Sequence, residues 1–472
     1  MGKKTCKVFT PPDMVVYMLD KIGYTDDLLG KKVLENSCGT GHFLQEIVRR
    51  YIRDGRTRQV TDEDIKSGLE ADIHGYEKDS EVYEQCLANL DKTAAELGIH
   101  DVAWHITKGD ALRAELSPGY QYVIGNPPYI TYYNLDSEDR ALIRRQYEVC
   151  RVGKADYYYA FTEAALKSLA ADGKMAYLIP NNFMKNRYSQ ALREYLIPYL
   201  TEIEDYKFLR IFGNYQISSA IIFCENQCQQ DDFKYTDQEI GDIIRVKKRE
   251  LTGKWTFCSS EESKKKTRLG DCFKVSAPVA TLLNDALVIQ DFSENEAWIE
   301  TNGYRLERLG LRPAASPKSR QYDKNNYIIF PYYYMSGRLC RYTEEEFHDK
   351  FPEIERYLQT YRDKLDLRQK DKACKWFEYG RSQALAHINQ EKLMLSTLIT
   401  DTVKYYQLDE ETVPYSGMYL VPKTGYTIEQ AKDILESDAF YQYIQSIGIH
   451  ANGKTYRISP SDVENYTFEE KW

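Results

Sequence analysis

Apolar positions in the first half of the chain alternate between two spacings. "PPDMVVYMLDKIGY" (11–24) places its apolar residues three and four apart behind two prolines, the pattern of a helix with proline in its first turn. "KKVLENSCGTGHFLQEIVRRYI" (31–52) runs from a short apolar strand through a glycine turn into a helix. "GLEADIHGYEKDSEVYEQCLANLDKTAAELG" (68–98) repeats the scheme, with a strand at 73–76 and a long amphipathic helix after it. "AWHITKGDAL" is a third strand ending at Asp110, and "YQYVIGNPPY" a fourth. "DYYYAFTEAALKSLAADGKMAYLIPNNF" gives a helix, a stop at Gly173 and a fifth strand. "QALREYLIPYLTEIEDYKFLRIF" and "SSAIIFCE" supply a further helix and two strands. Strands alternating with helices at this spacing predict an α/β fold, a doubly wound and mostly parallel sheet with helices on both faces. The charged stretch "RDGRTRQVTDEDIKSGLEAD", between the first of these helices and the second strand, reads as a surface insertion.

Past Glu225 the alternation stops. "CENQCQQDDFKYTDQEIGD" is polar, and two basic runs follow, "VKKRELTGK" and "SKKKTRLG". From about Arg268 the texture becomes mixed α and β, rich in Tyr, Lys and Arg. The predicted layout is a ligand-binding α/β domain over 1–240, a linker over 241–265 and a second, mixed α/β domain over 266–472. A length of 472 residues agrees with more than one domain. No apolar run of about 20 residues suggests a membrane span. The basic start "MGKKTCKVFTPPDM" lacks the apolar stretch of a secretory signal, so a cytoplasmic protein is expected. Ten cysteines without regular spacing read as reduced thiols, with no metal site. The net charge of −9 speaks against a polyanion-binding surface over the whole molecule and leaves room for a local basic groove. Forty tyrosines suit wet interfaces and stacking on bases.

The chemistry gathers at strand ends. In "VLENSCGTGHFL", Gly39 and Gly41 let backbone approach a ligand at the sheet crevice. The full dinucleotide fingerprint is absent, and Glu35 ahead of the turn would repel a pyrophosphate. An acid there suits a ligand carrying a positive amino group, and S-adenosylmethionine has an ammonium, a sulfonium and no phosphate. Glu77 ends the second strand, where a carboxylate can accept from both hydroxyls of a ribose. Asp110 ends the third, placed to accept from an adenine amino group. In "GNPPY", Pro127 and Pro128 fix two φ angles and remove two donors, and Asn126 is held extended by the proline after it. That corner presents acceptors, the Asn126 amide oxygen and the Pro127 carbonyl, matched to the two hydrogens of an exocyclic amine. Tyr129 offers a face for stacking.

These motifs, in this order, resemble the gamma-arranged N6-adenine DNA methyltransferases, the bacterial type II modification enzymes with an N-P-P-Y motif. The resemblance is close over about residues 8–225. It implies a Rossmann-like class I S-adenosylmethionine-dependent domain. "TPPDMVVYML" looks like the segment lining the methionine end of the cofactor, implying Thr10, Pro11 and Pro12. "LENSCGTGHFL" looks like the cofactor turn, implying Glu35, Cys38, Gly39 and Gly41, and Glu77 and Asp110 match the ribose and adenine acids. Asn126, Pro127, Pro128 and Tyr129 match the catalytic motif, with Asn126 also lining the cofactor. "FLRIFGNYQISSAIIF" implies Phe212 on the opposite face of the flipped base. The chain departs from the family where Ala111 follows Asp110 in place of an aromatic cover for the cofactor adenine. Leu112 or Ile73 is the expected substitute. Arg151 and Lys154, in the loops beyond, are expected either to reach phosphates or to stand as solvated surface charges.

Residues from about 265 onward look like a target recognition domain, with Arg312, Lys318, Arg320, Lys324, Arg381, Lys454 and Arg457 expected on a basic DNA-facing surface. The implied partner is double-stranded DNA met by a monomer, with a separate restriction endonuclease as a possible companion or a solitary regulatory role instead. Two other readings stay open: an N-P-P-Y enzyme acting on RNA or on a protein glutamine, whose NH₂ group is the same, and a non-catalytic nucleic-acid-binding module.

Overall fold

A computed structural model describes residues 10–207, 209, 211, 218–257, 267–335 and 337–469. The chain divides into two compact units, Met1–Ser259 and Ser260–Trp472.

The first unit opens with α1 (Pro12–Lys21), entered through Pro11 at the N-cap, where a missing N–H does no harm. There follow β1 (Val33–Glu35), α2 (His42–Thr57), α3 (Asp62–Asp72), β2 (Ile73–Glu77), α4 (Ser80–Glu96), β3 (His105–Lys108) and β4 (Tyr120–Gly125). Next come α5 (Ser137–Gln146), α6 (Tyr157–Ser168), β5 (Leu169–Pro180), α7 (Gln190–Leu196), β6 (Leu200–Asp205), β7 (Ser219–Glu225), β8 (Asp232–Asp237) and β9 (Ile243–Lys247). All nine strands form one sheet in the order β3-β2-β1-β4-β5-β7-β6-β8-β9. β1 to β5 pair in parallel, while β7 runs antiparallel between β5 and β6. Two apolar cores fill its two sides, one including Tyr159, Phe183 and Leu192, the other Phe43, Ile47 and Tyr51. The order of strands reverses at β1 and β4, so the carboxyl ends of β1, β2 and β4 open onto one crevice.

Three sequence-based expectations change. The charged stretch read as a surface insertion holds α3, capped by the Thr61 side chain and pinned through fully buried Ile65 and Leu69. Those two apolar residues, four apart, give the helix its one inward stripe. Gly68 lies so close to Tyr51 that a Cβ there would sit 2.2 Å from the tyrosine oxygen. Gly173 does not stop a helix. α6 ends at Ser168, β5 begins at once, and Gly173 lies inside the strand, where a Cβ would be 2.6 Å from the Tyr120 carbonyl. Finally, 241–265 is not simply a linker, because β9 is the last strand of the sheet. Beyond it Trp255 is buried against Phe183 and Phe233, its N–H bonded to the Met184 carbonyl. β9 alternates between exposed and half-buried positions, as an edge strand does, and so reads as a polar connection in sequence.

The second unit is mixed α and β. One four-stranded sheet joins Phe273–Ser276, Met418–Pro422, Lys392–Leu395 and Tyr405–Leu408. Another joins Val288–Ile289, Asn326–Ile329, Leu311–Ala315 and Val413–Pro414. An aromatic core that includes Phe347 stacked on Phe377 at 4.1 Å packs beside them. Among the described residues no helix is long and apolar enough to cross a membrane.

Candidate active site

The turn after β1 is built by backbone. Cys38 N–H donates to the Tyr76 carbonyl at 2.9 Å, tying the turn to β2. Gly41 caps α2 with φ +83, a conformation that L side chains rarely adopt, and a Cβ there would meet Cys86 Sγ of α4 at 2.9 Å. Glu77 holds the turn from the other side: one carboxylate oxygen accepts from Gly39 N–H at 3.0 Å and the other from Asp79 N–H at 2.8 Å.

Glu35 is 3% exposed, and its Oε2 has no hydrogen-bond partner. Burial, and then Cys86 and Glu77 nearby, push its carboxyl well above the ordinary carboxylate range, against the downward pull of the Leu44 backbone N–H. Asp110 accepts from Tyr157 Oη at 2.9 Å, Lys78 Nζ at 3.1 Å and Leu112 N–H at 3.0 Å. Burial and the Asp110 charge push the Tyr157 hydroxyl up, so it stays a donor. Ala111 and Leu112 are buried. Ile73, expected as an adenine cover, stands at the amino end of β2, four residues or roughly 13 Å of strand from Glu77. It faces the core, at the wrong end of the sheet for that role.

The N-P-P-Y corner leaves β4 at Gly125. Asn126 Nδ2 lies 3.2 Å from Thr10 Oγ1, and Ser37 Oγ donates to the Asn126 carbonyl at 3.4 Å. Thr10, Ser37 beyond β1 and Asn126 therefore meet at one point. Pro127 is buried, and Pro128 leads into a turn closed by Ile130 N–H on the Pro128 carbonyl. Tyr129 anchors its hydroxyl on the Leu178 carbonyl at 2.9 Å and leaves its ring half-exposed, edge-on to Tyr158 at 6.3 Å. Phe212 lies outside the described residues.

The structure adds residues that sequence reasoning missed. Ser37 touches Asn126; Asn36 is fixed by the Tyr177 hydroxyl and donates to the Phe161 carbonyl. Tyr157 holds Asp110, and Tyr158 donates to Asn182 at 3.0 Å while bordering Tyr129. The run "DYYY" signals tyrosines near the motif, but only the helix register of α6 tells which hydroxyl goes where. Lys154 sits over the Tyr133 ring at 4.6 Å and bonds its hydroxyl, a half-buried cation already engaged; Arg151 is exposed.

In the second unit Arg312 departs from its expected place on a DNA-reading surface. Its guanidinium stacks on Phe330 at 4.1 Å and pairs with Glu411 at 3.2 Å, its side chain 15% exposed. Lys318, Lys324, Arg381, Lys454 and Arg457 are exposed, and Arg320 half-buried. They lie on separate parts of the unit: Lys318 and Arg320 on the helix Pro317–Gln321 with Lys324 just beyond it, Arg381 in a bridge to Ala280, and Arg457 on the strand Thr455–Arg457 with Lys454 in the turn before it. Among the described residues, no group of three or more His, Cys, Asp or Glu side chains is arranged to hold a metal ion.

A sheet with this strand order, a glycine turn after β1 and acids at the next strand ends make the first unit a class I S-adenosylmethionine-dependent methyltransferase fold. The chain overlays the type IIL restriction-modification enzyme MmeI, solved in complex with DNA, with a TM-score of 0.60 at 12% identity, over 97% of this chain and 64% of that one. Residues 46–217 match the model of the Eco57I restriction-modification methylase family. The chain is similar to the type II methyltransferase M.PaeR7I of Pseudomonas aeruginosa, 31% identical over 195 residues, which cover 39% of this chain and 33% of that relative. It is similar along most of its length to the type II methyltransferase M.BstVI of Geobacillus stearothermophilus, 21% identical over 95% of this chain and 87% of the relative. The chain is thus similar to type II modification methylases, and the match spans only a third of M.PaeR7I. The matched segment includes Glu77, Asp110 and the N-P-P-Y corner.

Proposed function

We propose that this protein is a site-specific DNA methyltransferase that moves a methyl group from S-adenosylmethionine to the N6 amino group of an adenine extruded from double-stranded DNA. The observation that carries this reading is the meeting of Asn126 with Thr10 and Ser37, which puts the amine-grasping corner and the cofactor turn in one crevice. The residues present fit the cofactor: a buried carboxyl with an orphan oxygen at Glu35, and acids at the ends of the next two strands. Glu35 would take the ammonium, Glu77 the ribose hydroxyls and Asp110 the adenine amino group. The bound cofactor supplies an electrophilic methyl on a sulfonium. The two prolines make the corner stiff and donor-free, so Asn126 and the Pro127 carbonyl accept from both amine hydrogens and turn the nitrogen lone pair toward the methyl. The proton leaves after attack, and no strong base is required beforehand. Tyr129, fixed through its hydroxyl, gives the extruded base a stacking face. Stacking offsets the few kcal/mol of leaving the duplex.

The test is expression in a host free of DNA methylation, followed by long-read sequencing of the host DNA. The expected result is N6-methyladenine at one recognition sequence, absent with Asn126→Ala. Unmodified DNA from cells holding folded protein, or a mark on cytosine, would overturn the assignment.

A further inference from the structure

Glu35 has a second consequence, which rests on the reading of the crevice as the S-adenosylmethionine site. Its carboxyl is almost wholly buried, with Oε2 unpartnered. The groups facing it come from every wall of the crevice. Glu77 stands on β2, Cys86 on α4 and Cys38 in the turn; Gly125 at the end of β4 lies 3.6 Å from the Glu35 Cγ at its built Cβ position. Tyr177 on β5 has its hydroxyl committed to Asn36. The Leu44 backbone N–H is the favourable contact. Among the described residues no lysine, arginine or histidine forms an ion pair with Glu35, and the Glu77 carboxylate acts against its ionisation.

A buried carboxylate without a counter-ion carries a penalty of several kcal/mol, which a protonated carboxyl largely avoids. One N–H at the start of α2 does not offset it. A bound cation reverses this preference, because an ammonium beside Oε2 supplies both the missing charge and the missing donor.

We propose that Glu35 selects the cofactor by proton exchange: it is a neutral carboxylic acid in the free protein and gives its proton to solvent as an ammonium-bearing ligand docks. The balance is simple. The Glu35 O–H bond breaks, its electron pair stays on the carboxylate, the proton leaves for bulk water, and the incoming ammonium restores neutrality to the crevice. A ligand with the same nucleoside but no amino-acid end leaves the proton in place.

Calorimetric titration of the full chain with S-adenosylhomocysteine tests this. It keeps the ammonium and has no methyl to transfer. Near pH 6.5 the amine remains protonated in solution, so any proton released comes from the protein. Titration in buffers of different ionisation enthalpy should report about one proton released per site, and affinity should strengthen about tenfold per pH unit while the free protein holds the proton. 5′-Methylthioadenosine should release none. Glu35→Gln should bind S-adenosylhomocysteine more weakly, without proton release and without that pH slope. Wild-type protein that binds S-adenosylhomocysteine with no proton release would overturn the proposal and leave the cofactor assignment standing. Wild-type protein that does not bind it at all would overturn the assignment, and the proposal with it. The wild-type proton count decides the matter even if Glu35→Gln does not fold.

Discussion

Glu35, Glu77 and Asn126 differ in what each side chain already touches, and so in what its loss would do. Asn126→Ala removes the acceptor proposed to hold the reacting amine, while the turn on β1 stays built by its own backbone bonds. Methyl transfer should fall at least a hundredfold, the scale for loss of a preorganised polar contact at a reacting centre, while cofactor affinity by calorimetry stays near wild type. Near-normal turnover would remove Asn126 from the chemistry. Glu77→Ala withdraws the acceptor for two backbone N–H groups as well as the expected ribose contact. S-Adenosylhomocysteine should bind about 1–3 kcal/mol more weakly, and an unchanged dissociation constant would deny Glu77 the role. For Glu35 the folded-state shift is upward, so its stabilising protonated form is complete below the unfolded pKa of about 4.3 and is lost as pH rises toward the folded value. Cofactor-free Glu35→Gln should therefore gain stability relative to wild type as pH climbs above about 5, by up to about 1.4 kcal/mol per pH unit across that window, read as a rising difference in Tm. A Tm difference that does not change with pH would contradict it.

At the level of elements, the sheet was legible because its strands are short apolar runs separated by amphipathic helices, and because acids and glycines punctuate their carboxyl ends. α3 was not legible: eleven residues whose buried apolar side chains are only Ile65 and Leu69 look like solvent-exposed linker until Tyr51 is seen against Gly68. Gly68→Ala forces a methyl onto the Tyr51 ring, and overpacking of this kind typically destabilises by about 1–3 kcal/mol in urea unfolding. No loss of stability would mean that α3 shifts freely. β9 escaped for the opposite reason, since a half-exposed edge strand is polar by design. The site was legible where chemistry restricts residue type, at Glu35, Glu77, Asp110 and the two prolines. It was illegible where a helix register decides, as with Tyr157 and Tyr158, and where a cation turns inward, as Arg312 does onto Phe330 and Glu411.

For the whole molecule, every described residue assigned here to the cofactor lies in the first unit. A fragment of residues 1–259 that folds should bind S-adenosylhomocysteine as the full chain does and lose sequence-selective methylation. Loss of cofactor binding from such a fragment, with its circular dichroism spectrum intact, would show that the second unit helps to build the crevice. The second unit's cations are spread over separate elements, so sequence alone could not arrange them into a reading surface.

The tyrosine pair at the start of α6 has a kinetic corollary. Tyr157 grips Asp110 while its neighbour Tyr158 borders Tyr129, so one rigid turn of helix fingers both pockets. Under the proposed function that turn would couple the cofactor face at Asp110 to the base face at Tyr129, and the two substrates should load in a preferred order. Tyr157→Phe would loosen that cross-talk, and initial-rate patterns would drift from ordered toward random.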